Sequence, residues 1–203
     1  MSRRAVAPTV LPIVRLGHPA LRTPARTLSA AELATPETQA LIDDMLETMV
    51  DADGVGLAAP QVGEELQLFV YGVEADLDDD SEIGAEARVA IPQQAVINPM
   101  LDPEGGELIY DWEGCLSIPG LRGLVPRHQA VRLRGLDRVG RPIDRRVEGF
   151  EARIVQHEFD HLNGVIFLDR MRDLQSLTYA EEAEEHLDER DASTPGPGPG
   201  FAG

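Results

Sequence analysis

Hydrophobic positions are spaced along the chain in two ways, one typical of helices and one typical of strands. In residues 41–49 the apolar side chains recur at helical spacing, and Thr35-Pro36 ahead of them is a sequence that caps and opens helices. The pattern therefore predicts a helix that delivers the chain to Gly54. Two apolar runs, residues 66–73 and 95–98, predict buried strands instead.

The second half of the chain predicts further strands and then another helix. Residues 131–134 alternate between apolar side chains and arginines, which is typical of a strand with one exposed face. Residues 137–140 predict a turn into a strand that ends near Phe150, and a helix follows. We therefore expect an α+β fold in which antiparallel or mixed sheets surround a central helix, with an N-terminal helix and an acidic C-terminal extension.

The central helix contains the motif His157-Glu158-x-x-His161. With Phe150 and Ile154, the two histidines fall on one face of that helix. Histidines four residues apart on a helix can bind one divalent ion, and the neighbouring glutamate can take a proton from metal-bound water. The motif thus favours metal-assisted hydrolysis. The alternative is a pair of hydrogen-bonded core histidines, but two imidazoles and a carboxylate in a core all need partners.

A catalytic site of this kind takes three protein ligands and leaves one position for water. In metzincin peptidases the third histidine would stand at Phe167, so that class is excluded although Gly164 fits its pattern. In thermolysin-like peptidases a glutamate about twenty residues further on serves. Candidates at that distance are Glu181, Glu182, Glu184 and Glu185. The spacing of the residues leaves this alternative open.

The other source of a third ligand is Cys115, the only cysteine in the 203 residues. A lone cysteine forms no intramolecular disulfide, and with no signal peptide we expect the chain in a reducing compartment, the cytoplasm. A small buried hydrophobe is the ordinary role of such a residue. However, Gly114 precedes it and residues 117–120 read as a turn, so a strand end can present the thiolate.

Three separated motifs resemble those of the peptide deformylases, in the same order along the chain. They are residues 54–61 (Gly-Val-Gly-Leu-Ala-Ala-Pro-Gln), 113–117 (Glu-Gly-Cys-Leu-Ser) and 156–161 (Gln-His-Glu-Phe-Asp-His). The likeness extends over about residues 12–171. It implies an α+β fold and a hydrolase that removes the formyl group from the N-terminal formylmethionine of new polypeptides, releasing formate.

The resemblance also implies roles for individual residues. It makes Cys115, His157 and His161 the metal ligands, which favours the cysteine over the tail glutamates, and it makes Glu158 the catalytic acid and base. It further implies that the Gln61 side-chain amide and the Leu116 backbone N–H stabilise the negative charge that grows on the formyl oxygen. In bacterial members the physiological ion is iron, Fe²⁺, with Ni²⁺, Co²⁺ or the less active Zn²⁺ as substitutes.

A second group of residues is predicted to contact the substrate. Val55, Phe150 and Ile154 are candidates for the apolar lining of a methionine pocket, by motif position and helix face, and plain core packing is the alternative. By resemblance, Gly56 shapes the pocket to which Gln61 and Leu116 contribute their donors. Nine arginines lie in residues 122–153, and we interpret them as exposed strand charges. The exception is Arg122, which matches a position that contacts substrate in the family.

Length and charge predict one catalytic domain and an extension. Residues 1–172 suit a single domain, and residues 173–203 form an acidic tail in which 193–200 are rich in proline and glycine and predicted to be disordered. The net charge is −18, yet residues 74–86 and 181–191 carry seven acidic residues each, so the remainder is only mildly acidic. We interpret residues 74–86 as a solvated loop between strands.

Partners follow from the expected substrate. No apolar stretch is long enough to span a membrane, so a membrane is not an expected partner. RNA phosphates would repel the acidic tail, so direct nucleic-acid binding is not predicted. The substrate makes an association with the ribosome plausible, but no motif of the sequence shows one. Two other functions remain open from the residues: a thermolysin-like peptidase with a tail glutamate as third ligand, and a non-catalytic binder of nascent chains.

Overall fold

One six-stranded sheet organises the molecule, and every pairing between its strands is antiparallel. The computed structural model describes residues 7–73 and 90–182. The strand order is β1-β2-β3-β4-β5, and β6 pairs with β4. The bounds are β1 Gly56–Ala58, β2 Leu68–Val73, β3 Ile91–Cys115, β4 Ile118–Leu136, β5 Pro142–Glu148 and β6 Thr178–Tyr179.

Within residues 7–73 and 90–182 the helices are fewer than the strands, and two of them are long enough to pack a full face on the sheet. The bounds are α1 Ala30–Leu33, α2 Pro36–Asp51, α3 Gly149–Leu162 and α4 Phe167–Arg170, with 3-10 turns at Pro19–Arg22 and Ala59–Val62. The predicted α+β class is confirmed. Among the described residues, no helix combines the length and the apolar composition that crossing a bilayer requires.

The first predicted helix is α2, and it begins where its capping sequence indicates. The Thr35 hydroxyl accepts a hydrogen bond from the Thr38 amide, and Pro36 occupies the first turn, where its missing N–H leaves no bond unmade. Ile42 and Met45 on its apolar face are fully buried. This face packs on β1 and β2, so the helix fixes the start of the segment that leads to Gly56.

The long hairpin of β3 and β4 departs most from the predicted strands. Residues 95–98 were expected as a short strand, but β3 runs for 25 residues because its polar continuation pairs with β4 along its length. The alternation predicted at residues 131–134 is confirmed, since Val131 and Leu133 are buried while the arginines between and after them are exposed. Polar residues can thus continue a strand when only one face is buried.

The helix α3 lies against the same sheet, which it reaches directly from β5. The expected strand end near Phe150 falls at Glu148, and the helix begins at Gly149. Ala152 and Val155 are fully buried in a cluster with residues of β2, β4 and β5. A second cluster lies under α2, and a third joins α4 to the first residues of β4. The motif His157-Glu158-x-x-His161 lies on the last turns of the packed helix α3.

The predicted extension begins against the domain. Ser176 accepts a hydrogen bond from the Leu124 amide, Leu177 packs in the third cluster, and β6 pairs with Leu121 and Arg122. The boundary at residue 172 stays a prediction. The acidic segment at residues 74–86 and the Pro/Gly-rich stretch at 193–200 lie outside the described residues.

The presence of glycine at position 164 has a structural explanation that does not involve a metal. It follows the end of α3 with a φ of +71°, and its amide donates to the carbonyl of His161. A side chain there would begin 2.7 Å from the backbone oxygen of Arg22. Both the left-handed backbone and the close approach of Arg22 therefore require glycine.

We expect Gly164→Ala to destabilise the fold more than Gly140→Ala. Both glycines have a positive φ, which costs alanine roughly 1–2 kcal/mol. At Gly140 the nearest atom to an added Cβ is a side-chain carbon of Leu33 at 3.9 Å. At Gly164 the contact with backbone adds roughly 1–3 kcal/mol of overpacking. Urea unfolding of the two variants measures the difference, and equal midpoints would contradict this account.

Candidate metal centre and active site

The helix α3 presents two histidines and a glutamate to the interior. His161 is fully buried and Glu158 is 4% exposed. The rings of His157 and His161 meet edge to face, with centroids 5.0 Å apart and an interplanar angle of 74°. Their spacing of four residues brings both imidazoles to one side of the helix, as the motif predicts.

Cys115 meets the histidines from the end of β3. The register of the β3–β4 hairpin shifts between Gly114 and Cys115, and the chain turns at Leu116 and Ser117. The Sγ atom lies 3.3 Å from Nε2 of His161. One ligand atom from each of Cys115, His157 and His161 lies within 4.8 Å of the other two. The fold thus brings the three predicted ligands together.

The donor set fits a divalent transition metal. Nδ1 of His157 lies 2.9 Å from the Glu113 carboxylate, so that nitrogen carries the proton and Nε2 keeps its lone pair for an ion. A thiolate and two imidazoles suit iron or zinc. The cavity beside these residues leaves space for water and substrate.

Protonation of the two histidines differs because their neighbours differ. Burial lowers the pKa of His161 well below its usual range. Burial also favours neutral His157, but hydrogen bonds with Cys115 and Glu113 outweigh it and raise the pKa of His157. A cation would compete with the second proton of His157 for Nε2, so an ion bound there would displace that proton.

The carboxylate of Glu113 lies behind His157 and is enclosed by donors. Nε and Nη2 of Arg127 donate to its two oxygens at 2.8 and 2.9 Å, and Nη1 of Arg153 donates to Oε1 at 2.8 Å. Burial alone would raise the pKa of Glu113, but hydrogen bonds from Arg127 and His157 lower it well below its usual range. Arg127 also donates to Asp160 of α3 at 2.5 Å.

Glu158 occupies a different environment although it is equally buried. Burial raises the pKa of Glu158 to about 7. Its Oε2 atom has no hydrogen-bond partner among the described residues. Gly56 makes room for this side chain, because a Cβ at Gly56 would lie 2.3 Å from Oε1. A carboxyl group with a pKa near neutrality is suited to both taking and giving a proton.

Gln61 approaches the ligands from the 3-10 turn that follows β1. Its side-chain oxygen accepts a hydrogen bond from the Ala58 amide at 2.8 Å, which fixes the orientation of the amide group. Its Nε2 atom points at Ser117 Oγ, 3.3 Å away, and at Cys115 Sγ, 3.6 Å away. These long contacts leave Nε2 able to donate to a ligand in the site.

A cavity of about 500 Å³ opens beside these groups. All the residues predicted to contact substrate line it, namely Val55, Gly56, Arg122, Phe150 and Ile154, together with Leu116. Ile154 is nearly fully buried and Phe150 is half-buried, so core packing and pocket lining are both physical roles of these residues.

The interpretation of the arginines at residues 122–153, Arg122 excepted, as exposed strand charges is wrong for two of them. Arg127 and Arg153 are 5% and 7% exposed, because a buried carboxylate pairs with them. Five others form ion pairs with a larger exposed fraction: Arg132, Arg134, Arg138, Arg145 and Arg146. Arg122 makes no ion pair within residues 7–73 and 90–182, and it lies at the cavity.

The sequence patterns predicted no part in the metal site for Glu113, Arg127 or Arg153. Two spacings carried a signal: Glu113 stands two residues before Cys115 on its strand, and Arg153 stands four residues before His157 on its helix. Each pair shares a face of its element. Arg127 had no such signal, because its approach depends on the register of the hairpin.

Phe167 and four tail glutamates belong to the alternative kinds of metal site considered above. The ring of Phe167 stacks on that of His157 at a centroid distance of 6.5 Å and an angle of 20°, so an aromatic contact stands where a metzincin has its third histidine. Glu181 and Glu182 are exposed, while Glu184 and Glu185 lie outside the described residues. The Cys/His/His group contains no glutamate.

Comparison with known proteins identifies relatives over most of the chain. The sequence model of the family described as polypeptide deformylase matches residues 10–177. Peptide deformylase 1 of Nitrosomonas europaea is 45% identical over 173 residues, which are 85% of this chain and 93% of that protein. Peptide deformylase 2 of Bordetella bronchiseptica is 46% identical over 177 residues, 87% of this chain and 96% of that protein.

Solved structures agree with these relatives. A class I type b peptide deformylase from Acinetobacter baumannii, bound to Met-Ala-Ser, has a TM-score of 0.72 and 34% identity over 80% of this chain and 99% of its own. A peptide deformylase from Synechococcus elongatus in complex with actinonin has a TM-score of 0.70 and 37% identity, covering 93% and 90%. Since sequence and fold match over nearly the whole length of such relatives, the chain belongs to the polypeptide deformylase family.

Proposed function

We propose that the protein hydrolyses the formyl group from the N-terminal formylmethionine of newly made polypeptides and releases formate. The observation that carries this proposal is the convergence of Cys115, His157 and His161 beside the buried carboxyl group of Glu158. Family membership supports the reaction, since the curated relatives are named peptide deformylases. The thermolysin-like alternative loses support, because the third donor that lies beside the histidines among residues 7–73 and 90–182 is a cysteine.

We infer that one divalent ion is held by Cys115, His157 and His161. The family is metal-dependent, and the sulfur and two nitrogens fit such an ion. Fe²⁺ is the proposed physiological ion, with Ni²⁺, Co²⁺ or Zn²⁺ as substitutes. When bound, the ion supplies the positive charge that makes water nucleophilic at neutral pH.

The proton transfers fall to Glu158. Its carboxylate takes a proton from the attacking water, and the resulting acid gives the proton to the amine that leaves. The raised pKa of Glu158, about 7, lowers the energetic difference between these two states at neutral pH. Positive charge at the three ligands would lower that pKa and favour the carboxylate that begins the cycle.

Charge on the formyl oxygen is stabilised by fixed donors. Nε2 of Gln61 is held toward the site by the bond between Ala58 and the other end of the same amide. The N–H of Leu116, in the turn after Cys115, is the second proposed donor. Donors that are already oriented need no reorganisation when negative charge develops, so they act on the transition state.

Recognition of the substrate is assigned to the cavity wall. Val55, Phe150 and Ile154 supply apolar surface for the methionine side chain. Arg122, with no ion pair among the described residues, is placed to attract the peptide backbone or a C-terminal carboxylate. The relative from Acinetobacter baumannii binds Met-Ala-Ser, a peptide that begins with methionine, and this supports the proposed substrate class.

This substrate makes nascent polypeptide chains the expected partners and the bacterial cytoplasm the expected location. The ribosome is then the place where substrates appear. We propose no direct contact with RNA, because the C-terminal extension is acidic.

The function is tested with protein purified without oxygen and loaded with Fe²⁺. Formyl-methionyl-alanyl-serine is the substrate, and formate is measured as the product. We expect metal-dependent release of formate, and the acetylated peptide serves as the control because its acyl group is larger. A loaded protein that releases no formate would revive the non-catalytic alternative.

Glu158→Ala and Cys115→Ala are expected to separate the chemistry from metal binding. Glu158→Ala should retain the ion and lose turnover by at least about 100-fold, because a general acid–base contributes that much. Cys115→Ala should lose affinity for the ion, since one of three donors is gone. Metal content and formate release are measured on each variant. Full turnover in either variant would refute its assigned role.

Gly56→Ala is expected to impair turnover without removing a functional group. The new methyl group would lie 2.3 Å from Oε1 of Glu158 and displace that carboxyl group. A misplacement of a catalytic group by about 1 Å costs on the order of 100-fold in rate. Gly106→Ala is the matched control, because nothing lies within 4 Å of a Cβ there. We expect unchanged kcat for Gly106→Ala, and equal kcat values in the two variants would argue against the placement of Glu158.

A further inference from the structure

Arg153 and His157 are one helical turn apart on α3, and both reach the same carboxylate. Nη1 of Arg153 donates to Oε1 of Glu113 at 2.8 Å, and Nδ1 of His157 lies 2.9 Å from Oε2. Glu113 in turn lies two residues before Cys115 on β3, so both of these strand residues face α3. The helix and the strand that carry the three metal-ligand candidates are therefore connected at Glu113.

The carboxylate of Glu113 is saturated by this arrangement. The two forked donors of Arg127 take one lone pair on each oxygen. The second lone pair of Oε1 receives Arg153, and that of Oε2 receives His157. A carboxylate held at all four sites cannot rotate or tilt without breaking a buried hydrogen bond, which costs roughly 1–3 kcal/mol or more for a charged group.

Arg153 is itself fixed by the backbone of both strands of the hairpin. Nη1 donates to the carbonyl of Val125 at 2.9 Å, and Nη2 donates to the carbonyl of Ile109 at 2.8 Å. The side chain is 8% exposed, so its charge is desolvated as well as paired. Its head group is thus a rigid support rather than a mobile surface arginine.

Arg153 is not needed merely to neutralise the charge of Glu113. Arg127 already supplies a buried guanidinium that bonds to both oxygens. A second buried arginine adds its own desolvation cost, which ion pairing only partly offsets. What Arg153 adds is a donor on the side of the carboxylate opposite to His157, so that the two helix residues hold it from both sides.

We propose that Arg153 is a positioning residue for the metal centre: it holds Glu113 so that Oε2 orients His157, and with it the Nε2 atom that faces Cys115 and His161. This proposal rests on the proposed function only in taking those three residues as metal ligands. Residues that orient a ligand in this way raise metal affinity without touching the ion.

The test compares Arg153→Met, Arg153→Lys and Arg170→Met, each loaded with Co²⁺. Methionine keeps an apolar stem of similar length, whereas lysine keeps the charge but lacks the forked donors. Arg170→Met is the matched control. It removes one arginine from the same network, since Arg170 pairs with Asp160, but Arg170 makes no contact with Glu113. The measurements are the visible spectrum of bound Co²⁺ and the rate of its transfer to excess chelator.

We expect Arg153→Met to release Co²⁺ at least about 10-fold faster than the parent, with shifted ligand-field bands, because such supporting residues are worth 10–100-fold in metal affinity. Arg153→Lys should release Co²⁺ at a rate between those of the parent and Arg153→Met, since a charge without the forked donors restores part of the support. Arg170→Met should keep the parent spectrum and rate.

Parent-like spectra and rates in both Arg153 variants would overturn the proposal. An equal effect in Arg170→Met would overturn it too, because net charge rather than orientation would then be responsible. Thermal unfolding is recorded for each variant, and failure of both Arg153 variants to fold would assign the residue to folding instead. None of these readouts uses substrate, so absence of formate release by the parent would refute the proposed function and leave this inference standing.

Discussion

Four hydrogen bonds to the buried carboxylate of Glu113 are the interaction on which the candidate site depends. Two come from Arg127 of β4, and one each from Arg153 and His157 of α3. Glu113 itself belongs to β3, so a single group fixes the helix relative to both strands of the hairpin. The positions of the imidazoles and of the Cys115 sulfur at the end of β3 follow from that constraint.

The buried charge network around Glu113 contributes more to the orientation of its members than to the free energy of unfolding. Burial of an ion pair costs about as much in lost hydration as the attraction returns, but loss of one partner leaves an unpaired charge and costs roughly 3–5 kcal/mol. Asp160 extends the network from α3 to Arg127 and Arg170. Small displacements of α3 are therefore opposed by several charged hydrogen bonds at once, and a site whose ligands come from two elements requires that rigidity.

The residues that could be predicted from sequence are those whose relation is local or fixed by a motif. The spacing of His157 and His161 within one helix places both on one face, and the α2 helix is specified by its cap and apolar face. Arg127 and Glu113 are 14 residues apart and meet only through the register of a hairpin with three irregularities. Their partners could not be read from spacing, and an arginine-rich strand indicated surface charge.

Two buried glutamates show why burial alone does not decide the chemistry of a carboxyl group. Glu113 and Glu158 are 5% and 4% exposed. Donors surround the first and keep it ionised, whereas the second has an unpartnered oxygen among the described residues and a pKa raised to about 7. Gly56 sustains this difference, because any side chain there would occupy the space that Glu158 needs. The first carboxylate is therefore suited to act as a fixed support, and the second is suited to exchange a proton.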